Sequence, residues 1–167
     1  MTKKILGLGI VLVILFTLVA CNSALAGYRA DAKAELTSYA ESKGQENYTV
    51  ENWVVIQGHI TAGKAAIDAA TDNAGVDSAL AAAKQAVGAV MTIAQEVLLE
   101  HKMIARTELI SYAESKGQEN YPAKNWRMLH GYLTYGKEAI NAAMDEIGVD
   151  SALSIAISAS LRALNIS

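Results

Sequence analysis

Two seven-residue stretches of the sequence match the spacing of a phosphate-binding loop, Gly58–Lys64 and Gly131–Lys137. Such a loop follows a strand, cradles phosphates with backbone N–H groups and holds Mg²⁺ through a Ser or Thr after the lysine. Here Ala65 and Glu138 follow the lysines, and the surrounding apolar residues recur with the period of a helix. A helix uses its own N–H groups, so we predict no nucleotide site. We interpret the glycines as points of close helix packing, since each costs helix propensity.

The remaining polar residues form no recognisable catalytic or metal-binding pattern. His59, His101 and His130 are far apart in sequence and lack the short helical spacing of zinc ligands. Asp68 and Asp72 are one helical turn apart, as paired acid–base carboxylates can be, but the pair is only partly kept in a second copy described below. We therefore predict that the protein is not an enzyme and has no catalytic residues, metal ligands or cofactors.

One group of aromatic and amide side chains has the chemistry to bind a ligand. A flat ring can stack on a sugar while neighbouring amides hydrogen-bond the sugar hydroxyls. The alternative is structural, because a tryptophan in the first turn of an amphipathic helix commonly anchors the core through its large apolar surface. Both interpretations stay open, and the candidate residues are Trp53, Trp126, Tyr48, Tyr121, Asn52 and Asn125.

The N-terminus has the pattern of an export signal. Lys3 and Lys4 precede the uncharged run Ile5–Ala20, which would span roughly 24 Å as a helix and so falls short of the bilayer core. The segment Leu18–Cys21 resembles the lipobox of bacterial lipoproteins, and Cys21 is the single cysteine of the chain. That resemblance implies cleavage before Cys21 and lipidation of its thiol, with enough hydrocarbon for stable membrane attachment.

Two other uses of the signal stay open. The residues before Gly27 fit an ordinary secretory cleavage site, which would release a secreted protein cut after Ala26. The apolar run could also remain uncleaved as an anchor. Without the signal the chain has a net charge of about −5, which argues against a nucleic-acid partner.

The rest of the sequence is an internal duplication. An offset of 73 residues aligns Glu35–Val87 with Glu108–Ser160 without a gap, and roughly 32 of 53 positions are identical. The stretch Ser38–Tyr48 recurs unchanged as Ser111–Tyr121.

Within each copy the apolar residues recur every three or four positions, which indicates helices. Gly44 suits the end of a first helix, because glycine adopts the left-handed conformation at little cost. A second helix starts near Thr49, where the other copy has Pro122. The segment Thr71–Gly75 is a turn by composition, and a third helix begins at Val76.

The stretch from Val76 to Lys116 contains no proline and only Gly88 as an interruption. We therefore predict that the third helix of the first copy continues into the first helix of the second, as a shared helix roughly 60 Å long. The predicted fold class is all-α, with two tandem three-helix bundles that share this long central helix after an N-terminal signal or anchor helix. The predicted segments are a signal peptide at 1–20, a lipidated N-terminus and linker at 21–30, and repeats at 31–95 and 96–167.

Three segments of each copy resemble the FIVAR-type three-helix repeats of bacterial surface proteins: Tyr48–Trp53, Gly63–Ala70 and Val76–Leu80, and in the second copy Tyr121–Trp126, Gly136–Ile140 and Val149–Leu153. The resemblance covers nearly all of the chain after the signal. It implies extracellular, non-catalytic modules that occur in tandem in cell-wall-associated and carbohydrate-active proteins.

These observations favour a lipid-anchored protein of the cell envelope that acts as a helical spacer or interaction module outside the membrane. Its expected partners are the membrane, through lipidated Cys21, and a cell-wall glycan or an envelope protein; no nucleic acid or nucleotide is expected. One alternative is a cell-wall or glycan-binding module that uses the tryptophans and tyrosines of each repeat. Another is a lipoprotein subunit of a larger envelope complex.

Overall fold

The computed structural model describes residues 24–165, and over that range the chain is all-α with no strand. The first helix, α1, occupies residues 24–41 of the described range. Short 3₁₀ turns at Gln45–Asn47 and Gln118–Asn120 precede the second helix of each copy. The other helices are α2 (Val50–Ala69), α3 (Asn73–Gly88), α4 (Ile93–Glu114), α5 (Ala123–Ala142) and α6 (Glu146–Leu164).

The chain divides into two compact units between Ile93 and Ala94. Helices α1 to α3 form the first unit, called repeat 1 below, and α4 to α6 form the second, called repeat 2. The all-α fold class is confirmed. The division lies two residues before the boundary that we predicted after residue 95.

The predicted shared central helix is wrong, because α3 ends at Gly88 and α4 begins at Ile93. The Ala89 N–H closes the last turn of α3, and the carbonyl oxygen of Met91 then accepts a hydrogen bond of 2.8 Å from the Asn52 side chain on α2. A carbonyl that faces a neighbouring helix does not accept the N–H four residues later, so the helix is interrupted there. Residues 24–30 also differ from the prediction, since they belong to α1 and not to a linker.

The two repeats bury equivalent side chains. In each, the first, second and third helices all contribute fully buried aliphatic residues. The largest of them are Leu36, Ile56, Ile67, Val76 and Val87 in repeat 1, and Leu109, Leu129, Ile140 and Val149 in repeat 2. The exception is Ser160, which is fully buried at the position that corresponds to Val87.

Local hydrogen bonds set the helix ends. The third helix of repeat 1 begins at Asn73, three residues before the predicted start at Val76, because Asp72 caps it. Gly44 and Gly117 have φ angles of +70° and +67°, so they need the left-handed conformation that glycine tolerates. The Thr49 hydroxyl accepts the Asn52 N–H at the start of α2. Asp72 begins α3 in the same way, since its carboxylate accepts the Gly75 N–H at 2.7 Å. Such N-caps each stabilise a helix by about 1 kcal/mol.

Two of the four mid-helix glycines are points of close packing, as predicted. A Cβ on Gly63 would lie 2.5 Å from the Ala83 Cβ and 2.8 Å from a Leu36 methyl carbon, and Gly136 has the same surroundings in repeat 2. For Gly58 and Gly131 the packing interpretation is wrong, because a Cβ there would meet nothing within 4 Å.

These glycines give a matched test of packing against helix propensity. We expect Gly63→Ala to lower the free energy of unfolding by about 1–3 kcal/mol, because the added methyl group overpacks the contact between three helices. Gly58→Ala on the same helix should raise it by about 1 kcal/mol through helix propensity alone. Urea unfolding followed by circular dichroism measures both changes. A Gly63→Ala protein as stable as Gly58→Ala would contradict the packing assignment.

The buried serine of repeat 2 gives a second test. The Ser160 hydroxyl is fully buried without a hydrogen-bond partner, and its position takes Val in repeat 1. We expect Ser160→Val to stabilise repeat 2 by about 1–3 kcal/mol, since it removes an unsatisfied polar group and restores apolar packing. The reverse change in repeat 1, Val87→Ser, should destabilise by a similar amount. Thermal unfolding of both variants checks the pair, and a Ser160→Val protein of lower stability would show that the hydroxyl is satisfied.

Candidate functional site

The six aromatic and amide residues that we predicted as ligand-binding candidates form two equivalent groups, one in each repeat, where the 3₁₀ turn meets the second helix. In repeat 1, Tyr48 is only 8% exposed, and its ring centroid lies 6.0 Å from that of Trp53 at a tilt of 42°. Trp53 is half-buried and packs against the core cluster that contains Val87. The two rings are thus held mainly by the core and by one another.

Repeat 2 places its aromatic pair in the same way with one addition. Tyr121 and Trp126 are both half-buried and pack against the repeat 2 core. The His130 ring stands edge-on to Trp126 with centroids 5.3 Å apart. This geometry favours the tryptophans as core anchors, because the core covers much of each ring that a sugar would need for stacking.

The two asparagines join the second helix of each repeat to the end of the third. Asn52 donates to the Met91 carbonyl oxygen at 2.8 Å, and Asn125 donates to the equivalent Leu164 carbonyl oxygen at 3.4 Å. Asn125 is only 4% exposed. Each side chain therefore donates to a backbone carbonyl at or just beyond the end of the third helix, and we call this contact the asparagine clasp.

The residues considered for catalysis lie apart and have structural partners. Gly58–Lys64 lies inside α2, as predicted, so its N–H groups do not form a phosphate-binding loop. Asp68 pairs with Lys33 at 2.6 Å, and Asp72 caps α3. Within residues 24–165, no cluster of three or more His, Cys, Asp or Glu could hold a metal ion.

One polar contact joins the first and third helices at the same position in each repeat. In repeat 1 the Tyr28 hydroxyl donates to the Asp77 carboxylate at 2.7 Å, and this hydrogen bond, with the negative charge of Asp77, raises the pKa of Tyr28 above its usual value. In repeat 2 the pair is His101 and Asp150, also 2.7 Å apart. Both contacts lie on the outside of the bundle and tie its helices together.

Sequence reasoning missed a groove between α4 and α6 in repeat 2. The α4–α6 groove is lined by Glu108 on α4 and by Asp150, Leu153, Ser154, Ile157 and Ser158 on α6. A separate depression lies on α4, and its described lining residues are Met103, Ile104, Thr107, Glu108 and Ser111. The sequence signal that could have indicated the groove is a difference between the copies, because Ile157 of repeat 2 replaces Lys84 of repeat 1.

Among the described residues, α6 alone is long and apolar enough to cross a membrane by the criteria of length and composition. It is also the third helix of repeat 2, where Val149, Ala156 and Ala163 are buried. Its apolar composition therefore has a structural use within the bundle. Cys21, the predicted lipidation site, lies outside the described residues.

The comparisons with known proteins leave the family of the chain open. No protein-family model, curated protein or solved structure matches it. The resemblance to FIVAR-type repeats therefore rests on the sequence segments alone.

The asparagine clasp predicts a stability effect that needs no ligand. We expect Asn52→Ala to lower the free energy of unfolding by about 1 kcal/mol or more, because the Met91 carbonyl loses its hydrogen bond. Gln57→Ala, an exposed change on the same helix, is the control and should stay within about 0.5 kcal/mol of the wild type. Equal stability of the two variants in urea unfolding would refute the structural role of Asn52.

Proposed function

We propose that the protein is a non-catalytic, exported protein of the cell envelope, anchored by lipid on Cys21 and holding two three-helix modules outside the membrane as a spacer or interaction module. The observation that carries the proposal is the position of Cys21. It is the single cysteine of the chain, and it directly follows the apolar run Ile5–Ala20.

The packing of α1 supports cleavage before Cys21 over cleavage after Ala26. Leu25 packs against the core cluster of repeat 1 that contains Leu36 and Ile67. A chain cut after Ala26 would lose Leu25 and the first described turn of α1. Cleavage before Cys21 keeps both, and it leaves the cysteine at the new N-terminus for lipidation.

The contacts that the polar side chains make support a structural or binding role for the protein. Of the two carboxylates that the sequence spacing suggested for catalysis, Asp72 caps a helix and Asp68 pairs with a lysine. The candidate amide of Asn52 donates to a backbone carbonyl. Trp53 and Trp126 are half-buried against the core, so they give the glycan-binding alternative only weak support. The likeness to FIVAR-type repeats agrees with modules of this kind on a bacterial surface.

A cysteine substitution tests the anchor. We expect wild-type protein, expressed in its native cells with labelled palmitate, to carry the label and to sediment with membranes, because the lipid chains partition into the bilayer. Cys21→Ser should lose the label and leave the membrane fraction or accumulate uncleaved. Ser23→Ala is the matched control and should behave as wild type.

The mass of the mature protein separates the alternatives. A lipidated N-terminal cysteine supports the proposal. A mature protein that begins at Gly27, or palmitate label on the Cys21→Ser variant, would overturn it.

A further inference from the structure

We propose that repeat 1 stands on the surface of the bilayer by one end, the end where α1 meets the turn between α2 and α3. This inference rests on the lipid anchor proposed above and deepens it, because it assigns the part of the protein that faces the lipid headgroups. The partner is the membrane that holds the anchor, and the contact involves Tyr28 and Thr71.

The stretch of chain between the anchor and the core is short. Leu25 packs against the core cluster of repeat 1 that contains Leu36 and Ile67. It follows Cys21 by four positions, so the Cα atoms of the two residues are at most about 14 Å apart even where the chain is fully extended. A lipid on Cys21 therefore holds the Leu25 end of the core close to the bilayer surface.

Contacts between the helices show which other residues lie at that end. The Arg29 guanidinium donates to the Ala70 carbonyl oxygen directly after α2. The Tyr28 hydroxyl donates at 2.7 Å to the carboxylate of Asp77, near the start of α3. The turn between α2 and α3 thus lies beside the first turns of α1. We call this part of repeat 1 the anchor end, and it consists of residues 24–29 and 70–77.

The side chains of the anchor end suit a layer of lipid headgroups. Tyr28 is 38% exposed, and a tyrosine is favoured at the membrane interface because its ring is apolar and its hydroxyl is polar. Thr71 and Asn73 are exposed, uncharged and able to hydrogen-bond headgroup oxygens. Asp72, the acidic residue of the turn, has its carboxylate on the Gly75 N–H.

Charge favours the opposite end of repeat 1 as the one that points away from the membrane. That end consists of the last turn of α1, the 3₁₀ turn Gln45–Asn47 and the start of α2. It carries three exposed glutamates, Glu41, Glu46 and Glu51. Anionic headgroups repel such carboxylates, so a module that lies flat is less favourable than one that stands on its anchor end.

The standing orientation gives the spacer role a length. The chain leaves repeat 1 at the glutamate-bearing end, because the Asn52 side chain near the start of α2 binds the Met91 carbonyl. Asn52 and Ala70 are separated by about 27 Å along α2. Repeat 1 therefore carries the chain about that far from the headgroups before α4 begins.

Spin labels at three heights of repeat 1 test the orientation on the full-length protein. Lipidation uses the thiol of Cys21, so an introduced cysteine is the single free thiol of the lipidated chain. The variants are Thr71→Cys at the anchor end, Gln57→Cys near the middle of α2 and Gln45→Cys at the opposite end, and all three positions are exposed. Lipidated protein from the native cells is labelled and placed in phosphatidylcholine–phosphatidylglycerol vesicles that contain a nickel-chelating lipid. Nickel at the headgroups speeds the relaxation of a nitroxide only when the two are close.

We expect the relaxation enhancement to be several-fold larger at position 71 than at position 45, with position 57 between them. Asn73→Cys repeats the measurement at the anchor end, and circular dichroism of each labelled variant should match the wild type. Equal enhancement at all three heights would show a module that lies flat and would overturn the proposal. So would a larger enhancement at position 45, or none at any position of a lipidated, vesicle-bound chain.

A longer connection tests why the module stands. Ten Gly and Ser residues inserted after Ser23 add a flexible tether of roughly 17 Å. We expect the enhancement at position 71 to fall toward that at position 45, because the short connection to Cys21 holds the anchor end down. A gradient that survives the insertion would contradict this explanation.

The mass of the purified protein separates this inference from the proposed function. A chain with a lipidated Cys21 and no gradient disproves the standing orientation alone. A mature chain without lipid disproves the anchor itself.

Discussion

Each repeat depends on one contact in which three helices meet at a glycine. Gly63 on α2 faces Leu36 on α1 and Ala83 on α3, at distances that leave no room for a methyl group. The small residues Gly63 and Ala83 allow the backbones to come close, and Leu36 fills the space that remains. The large buried aliphatic residues lie on either side of this point, in two clusters along the bundle. Repeat 2 keeps the same three residue types at Gly136, Leu109 and Ala156, so the constraint governs both copies.

The helices, the duplication and the glycine that ends the first helix of each repeat were predictable because their signals are local. The period of the apolar residues marks each helix, and Gly44 and Gly117 mark turns that require a positive φ. The break after Gly88 was missed, although Thr92 and Gln95 have the spacing of a capping box before α4. The Met91 carbonyl in this break accepts a hydrogen bond from Asn52, 39 positions away, and no local sequence pattern predicts that contact. The same limit applies to the candidate site, where the spacing of Trp53 and Asn52 identified the residues but left open whether they face a ligand or the core.

Because the chain is duplicated, the two repeats show which structural features are shared and which vary. We call the shared features the frame. The frame consists of the glycine contact, the asparagine clasp and the N-caps at Asp72 and Asp145, and it is the same in both repeats. The differences lie elsewhere: on the second helix, as at Val54 and Arg127, on the face between the first and third helices, and at the core position of Val87 and Ser160. Since the frame determines the fold, the other positions are free to change what the surface binds.

Three of the differences place less favourable side chains in repeat 2. Ser160 buries an unsatisfied hydroxyl where repeat 1 has Val87, Ile104 exposes an aliphatic side chain where repeat 1 has Asp31, and the ion pair of Glu35 has no equivalent. Each change makes repeat 2 less stable or less soluble than a copy of repeat 1 would be. The three changes leave the glycine contact and the N-cap of the third helix in place, so repeat 2 keeps the fold of repeat 1 despite them.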